Sequence, residues 1–197
     1  AGLAAPRTAI QPSDTDMLPV LQTIEPMPRF QSYIDEFAAL TEQLPVEEAP
    51  AISEKIYAGA TSCRACHQVE FDQWKTHKHS HAMKTLVDRN MHFNPDCLKC
   101  HTVAYRQPGG FTDVRVTAYL ANVQCEVCHG PGQAHVQEMR AAEALQREGK
   151  PIPPMQSSMK MEWNPQFCMQ CHDPKNDPHF NFNEDILRVR HKDPSPA

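Results

Sequence analysis

The sequence is short of the residues that usually fill a protein interior. Leu, Ile, Val and Phe account for 36 of its 197 residues, about 18 %. That is below the roughly 20 % at which side chains alone offset the ordering entropy of a chain. Glycine is scarce at seven against 18 prolines, and mean hydropathy is -0.58. Either much of the chain stays disordered, or something other than side chains fills its core. No run of about 18 apolar residues occurs, which excludes a membrane-spanning helix in this sequence. There is no basic stripe with interleaved aromatics, and 19 basic against 24 acidic residues leave a formal charge of -5, so a nucleic-acid partner is excluded. Ala1-Gly2-Leu3-Ala4-Ala5 has no charged start, apolar stretch or lipid-anchoring cysteine. It reads as a chain whose targeting segment has been removed or that never had one.

What the sequence does have is eight cysteines and eleven histidines. Cys63-Arg64-Ala65-Cys66-His67, Cys97-Leu98-Lys99-Cys100-His101, Cys125-Glu126-Val127-Cys128-His129 and Cys168-Met169-Gln170-Cys171-His172 are four C-x-x-C-H motifs that use every cysteine. This is the attachment signature of c-type haem. Two cysteines three apart on one helical turn each form a thioether with a haem vinyl group, and the next histidine lies under the ring to bind iron. Zinc ribbons want about 15 to 20 residues between pairs and no histidine after each pair, whereas the gaps here are 30, 24 and 39 residues. A thioredoxin-like pair needs a βαβ context that is missing. The cofactors expected are four haem c groups. As large, flat apolar bodies they supply the core that the side chains do not.

Residues 1–58 contain no histidine and no haem motif, and seven prolines fall within the first 50 residues. They read as a haem-free, Pro-rich N-terminal arm. Within it Phe30, Tyr33, Ile34, Phe37, Leu40 and Leu44 recur at helical spacing, which predicts one amphipathic helix from about Arg29 to Leu44. Residues 59–197 form the tetrahaem domain. The pattern predicts helices over Val69 to Thr76 and Gln133 to Arg147, the second closed by Gly149 and Pro151. Gly109 to Thr112 reads as a turn leading into an extended stretch, Val114 to Val116, and Lys150 to Pro165 as a loop. The fold class expected is mainly α with much irregular structure and little strand, organised around four stacked haems.

Beyond the four motif histidines, seven remain: His77, His79, His81, His92, His135, His179 and His191. Four bis-histidine haems need only four more ligands, and none of the nine methionines is singled out by position. Were His77 to Met83 an α-helix, His77 and His81 would share a face and His79 would lie opposite, so one short element could serve two haems.

Cys63 to Met83 and Asp96 to Gly132 resemble the cytochrome c-554 family of tetrahaem proteins. The resemblance lies in Trp74 and the H-x-x-A-M-like stretch after the first motif, in Asp96-Cys97-Leu98-Lys99-Cys100-His101, in the Gly-Gly-aromatic-Thr turn and in Cys125 to Gly132, with a weaker match over Phe182 to His191. It implies a c-554-like arrangement of stacked haems. It also implies His135 opposite the haem of Cys63 and Cys66, His79 opposite that of Cys125 and Cys128, and His191 opposite that of Cys168 and Cys171. Some members leave the second haem open; here His77, His81, His92 and His179 are extra, and His81 or His77 could close it within the chain or from a neighbour. The function expected is electron transfer by an exported protein, extracellular or periplasmic, rather than catalysis. The leading form is a homo-polymeric extracellular filament, with a soluble shuttle between other redox proteins next. A small-nitrogen-compound oxidoreductase at an open second haem is third.

Overall fold

A computed structural model describes residues 28–43, 55–157, 159 and 164–191. The Pro-rich stretch before residue 28 and the segment joining it to the haem region lie outside the described residues. Ten α-helices are described: α1 (Pro28–Gln43), α2 (Ala60–Cys63), α3 (Gln68–Thr76), α4 (Ala82–Val87), α5 (Pro95–His101), α6 (Val114–Thr117), α7 (Cys125–His129), α8 (Gln133–Arg147), α9 (Pro165–Cys168) and α10 (Phe182–Val189). Two 3-10 turns, Lys78–His81 and Ala118–Leu120, join them. Among the described residues there is no strand, only an antiparallel bridge between Thr102 and Ala121.

The helices carrying the motifs are short: α5 and α7 run through the motif histidine, whereas α2 and α9 end at the first cysteine and the rest of each motif continues as turn. Side-chain caps fix the starts of α5 and α9. Asn94 accepts from Asp96 N–H ahead of α5, and Asn164 from Phe167 N–H ahead of α9. Each of these two helices also has proline in its first turn, where the missing N–H costs nothing.

The stretch Val114 to Val116 is helical, not extended. Asp113 accepts from the Arg115 N–H and starts a turn of helix, so capping overrides the β-propensity of the valines.

The apolar core is small, as the composition requires. Met83, Leu86, Leu98, Val103, Phe111, Leu120 and Ala121 form one cluster around the second motif, with Cys97 packed against it. Backbone bonds knit it together: Val103 N–H donates to the Leu120 carbonyl and Phe111 N–H to that of Val103, both at 2.9 Å. The loop between them turns so tightly that a Cβ on Gly110 would sit 1.9 Å from the Ala104 carbonyl oxygen. Helix α1 lies beside residues 90–93, with Phe37 against Phe93 at 5.3 Å between ring centres and Asn90 donating to Asp35 at 2.6 Å.

Candidate haem-binding site

Glu126, inside the third motif, ties three segments together. Its carboxylate is buried and accepts from the N–H groups of Ala58 (2.8 Å), Gly59 (2.7 Å) and Gly132 (2.7 Å). Gln124 adds a bond from Ala60 N–H at 2.6 Å. These contacts set α2, carrying Cys63, against α7, carrying Cys125, and against the start of α8, carrying His135. Buried N–H groups demand acceptors, and one side chain meets three of them.

The four motifs lie within electrostatic reach of one another, though not in chain order. The Cys63 and Cys125 thiols hydrogen-bond each other, which with burial pushes Cys63 up. Cys128 lies beside Cys168 and is pushed up to about 11, chiefly by burial. Cys171, pushed up to about 12 by burial and by the neighbouring Cys100 thiol, closes the series. The motifs therefore adjoin in the order first, third, fourth, second. Attachment of haem would convert these thiols to thioethers, so the shifts belong to the haem-free chain.

Three motif histidines face a second imidazole. His67 and His135 have ring centres 6.4 Å apart, His129 and His191 6.2 Å, and His79 and His172 5.9 Å. A metal–imidazole bond is about 2.0–2.1 Å. With the ring centre roughly 1.1 Å beyond the nitrogen, two imidazoles on one metal put their centres about 6.2–6.4 Å apart. An iron fits between His67 and His135 and between His129 and His191 as they stand, and between His79 and His172 once their rings part by about 0.3 Å. Nδ1 of His92, His135 and His191 is buried without a partner, and two of these three histidines belong to the pairs. Neutral imidazole is the ligating form, and burial, then His77 and His172, lower the pKa of His79 to about 4. His129 is also lowered, by burial first and then by His191 and His67.

The resemblance implies His129 opposite His79 and His172 opposite His191, whereas the rings nearest to these two in the structure are others. His79 faces His172 rather than His129, and His191 faces His129 rather than His172. The cause lies in two long-range anchors. Val123 accepts from the Trp74 indole and donates to the His79 carbonyl, fixing the turn that bears His79. Gln73 donates to the Arg190 carbonyl at 2.8 Å, drawing the end of α10 and His191 toward α3.

Residues His77 to His81 are not one α-helix. His77 is extended and lies outside the 3-10 turn that follows. Its Nδ1 accepts from the His79 N–H, and its ring meets that of His79 edge-on at 4.7 Å. It braces His79. His81 is exposed, with Nδ1 2.5 Å from the Ser80 hydroxyl. His92 packs against Phe93 near Glu42, and His179 is exposed.

His101 stands apart. Its Nδ1–H donates to the Ala82 carbonyl at 2.7 Å, leaving Nε2 free to bind a metal, and among the described residues no imidazole faces it. The supporting groups Glu126, Ala82 and Asp177, whose Oδ2 accepts from His172 Nδ1–H at 2.8 Å, escaped the sequence reading. Glu126 alone left a trace there, as a charged residue inside an attachment motif.

Comparison with known proteins bears on the attachment motifs and the fold. Residues 62–130 match the family model described as cytochrome c554 and c-prime, a span holding the first three motifs. Cytochrome c-554 of Nitrosomonas europaea is 29 % identical over 113 residues, covering 49 % of this chain and 48 % of that protein. The chain thus spans about half the length of the curated relative it matches. The structure of reduced cytochrome c554 from Nitrosomonas europaea superposes with a TM-score of 0.50 at 20 % identity, over 68 % of this chain and 84 % of that one. The mainly helical fold is shared. With four attachment motifs for four haem c groups, the chain is a tetrahaem c-type cytochrome resembling the cytochrome c-554 family.

Proposed function

We propose that this protein carries electrons, and that copies of it join into an exported, extracellular conduit. The observation that carries the reading is the set of three imidazole pairs, 5.9 to 6.4 Å apart, on a chain whose motifs adjoin without a break. Bound haem c supplies one-electron exchange at iron. The chain's part is to fill both sides of the metal. His67 with His135, His129 with His191 and His172 with His79 leave no position for a substrate, so these sites favour transfer over catalysis.

His101, at the end of the series, supports the polymeric form. Among the described residues no second imidazole faces it, while His81 is exposed on the same molecule. A histidine from a neighbouring copy would complete the site. Helix α1, whose Tyr33, Phe37 and Leu40 are more than half exposed, runs beside the segment leading into the second motif and offers apolar surface for that contact. Among the described residues no helix is long and apolar enough to cross a membrane. Thioether attachment of haem is carried out beyond the cytoplasm, which places the conduit outside it.

Negative-stain microscopy of the native surface fraction, paired with EPR, tests this. Uniform filaments with all haems low-spin, yielding one high-spin haem per chain on dispersal, are expected. Dispersed particles of about 22 kDa would sink the polymer and leave a soluble carrier between other redox proteins. The unpaired His101 also favours a second reading, a catalyst for small nitrogen compounds. It requires turnover of such a compound at a high-spin haem of the dispersed protein.

A further inference from the structure

His172 is set apart from the other motif histidines by its partner. Its Nδ1–H donates to Asp177 Oδ2 at 2.8 Å. His101 donates to a neutral carbonyl instead, and among the described residues no carboxylate bonds His67 or His129. Asp177 is placed by a self-contained turn. Asp177 N–H donates to the Asp173 carbonyl at 2.8 Å, while Asp173 Oδ1 accepts from the N–H groups of Lys175 and Asn176, both at 2.9 Å. The Asn176 amide donates to Asp173 Oδ2 at 2.9 Å, locking the turn from the other side. Phe180 then stacks on the His172 ring at 4.7 Å and 20°. Carboxylate and phenyl together fix both the tautomer and the plane of this imidazole.

A carboxylate that draws on Nδ1–H makes the other ring nitrogen a more basic ligand. A more basic ligand favours ferric over ferrous iron, and hydrogen bonding around the ligand is among the protein's levers on potential. A charged acceptor acts about twice as strongly as a neutral one, so the effect should exceed that of the Ala82 carbonyl on His101. The cations nearby are weakly placed to cancel it: Arg188 is paired with Asp185 at 2.9 Å, and Lys175 is exposed.

We propose that Asp177 is a positioning residue that lowers the reduction potential of the haem held by Cys168, Cys171 and His172. The inference rests on His172 and His79 being an iron pair.

Spectroelectrochemical titration of the four-haem protein tests it with D177N. One of the four one-electron waves is expected to rise, its ferric-to-ferrous ratio at fixed potential falling about tenfold, which is about 59 mV. The other three should hold still, and D177E should restore the wave toward its original place. If D177N does not mature with four haems, D177S takes its place, since serine also suits a turn. No movement, or equal movement of all four waves, overturns the inference. Failure of both variants to bind four haems overturns it too, because the carboxylate would then serve assembly. Failure of the ligand reading itself shows separately, as an H79A protein that gains no high-spin haem.

Discussion

Replacing His79 with alanine puts the ligand geometry to its hardest test. The substitution removes one imidazole from a pair 5.9 Å apart and leaves His172, its thioether cysteines and their carboxylate partner untouched. The backbone bonds that hold the turn also survive. Val123 N–H still donates to the residue 79 carbonyl, and the residue 79 N–H to His77 Nδ1 at 3.3 Å. Those bonds also hold His77, whose ring centre lies 4.7 Å from that of His79, in place, so it does not swing in as a substitute. One of the four haems should therefore lose an axial ligand without losing its covalent attachment. A quarter of the ferric haem signal should pass from low to high spin in EPR, with four haems per chain still counted by pyridine haemochrome. Added imidazole should reverse the change. An H79A protein whose low-spin signal is undiminished, and stays so in H77A/H79A, would refute the pairing of His79 with His172.

Other substitutions probe the scaffold. Glu126→Gln removes a carboxylate accepting three buried N–H bonds and should cost about 2–4 kcal/mol of stability, read as a lower thermal midpoint at unchanged haem content. Gly110→Ala forces a methyl to within 1.9 Å of the Ala104 oxygen, so a loss of about 3 kcal/mol is expected, and an unaltered midpoint would contradict the turn geometry. Asp113→Ala should cost about 1 kcal/mol at pH 7 through the lost cap of α6. The Arg115 guanidinium holds the Asp113 carboxyl below its ordinary value. This stability is present above the ordinary carboxylate pKa and disappears as pH falls through the lowered one. Wild type and D113A should therefore converge in acid-unfolding curves only once pH has fallen below the ordinary carboxylate value of about 3.9 and through the lowered one.

The chemistry of this chain was open to reading because covalent haem attachment demands a local pattern. Each motif lies within five consecutive residues, and no tertiary knowledge is needed to see it. Helix α8 was equally plain, at Gln133–Arg147, because Gly149 with φ of +67° and Pro151 mark its end. The sequence misleads where a single contact, near or far, outweighs local propensity. The valines at 114 and 116 favour strand, but the Asp113 cap won. The stretch from His77 to His81 has a helical look that the extended His77 breaks. Which imidazole faces which was hidden because it depends on the Trp74–Val123 and Gln73–Arg190 bonds, spanning 49 and 117 residues. The roles of Glu126 and Asp177 were hidden for the same reason, since a carboxylate in a sequence does not announce whose proton it accepts.

The most direct single measurement is a ferric EPR spin count on the dispersed, fully oxidised protein with all four haems attached. The three imidazole pairs and the solitary His101 predict three low-spin haems and one high-spin haem per chain. Four low-spin haems in the dispersed chain would mean that it closes the second site by itself, removing the ground for ligation between copies. Two or more high-spin haems would mean that the imidazole pairs do not bind iron, and the account of the site would fail.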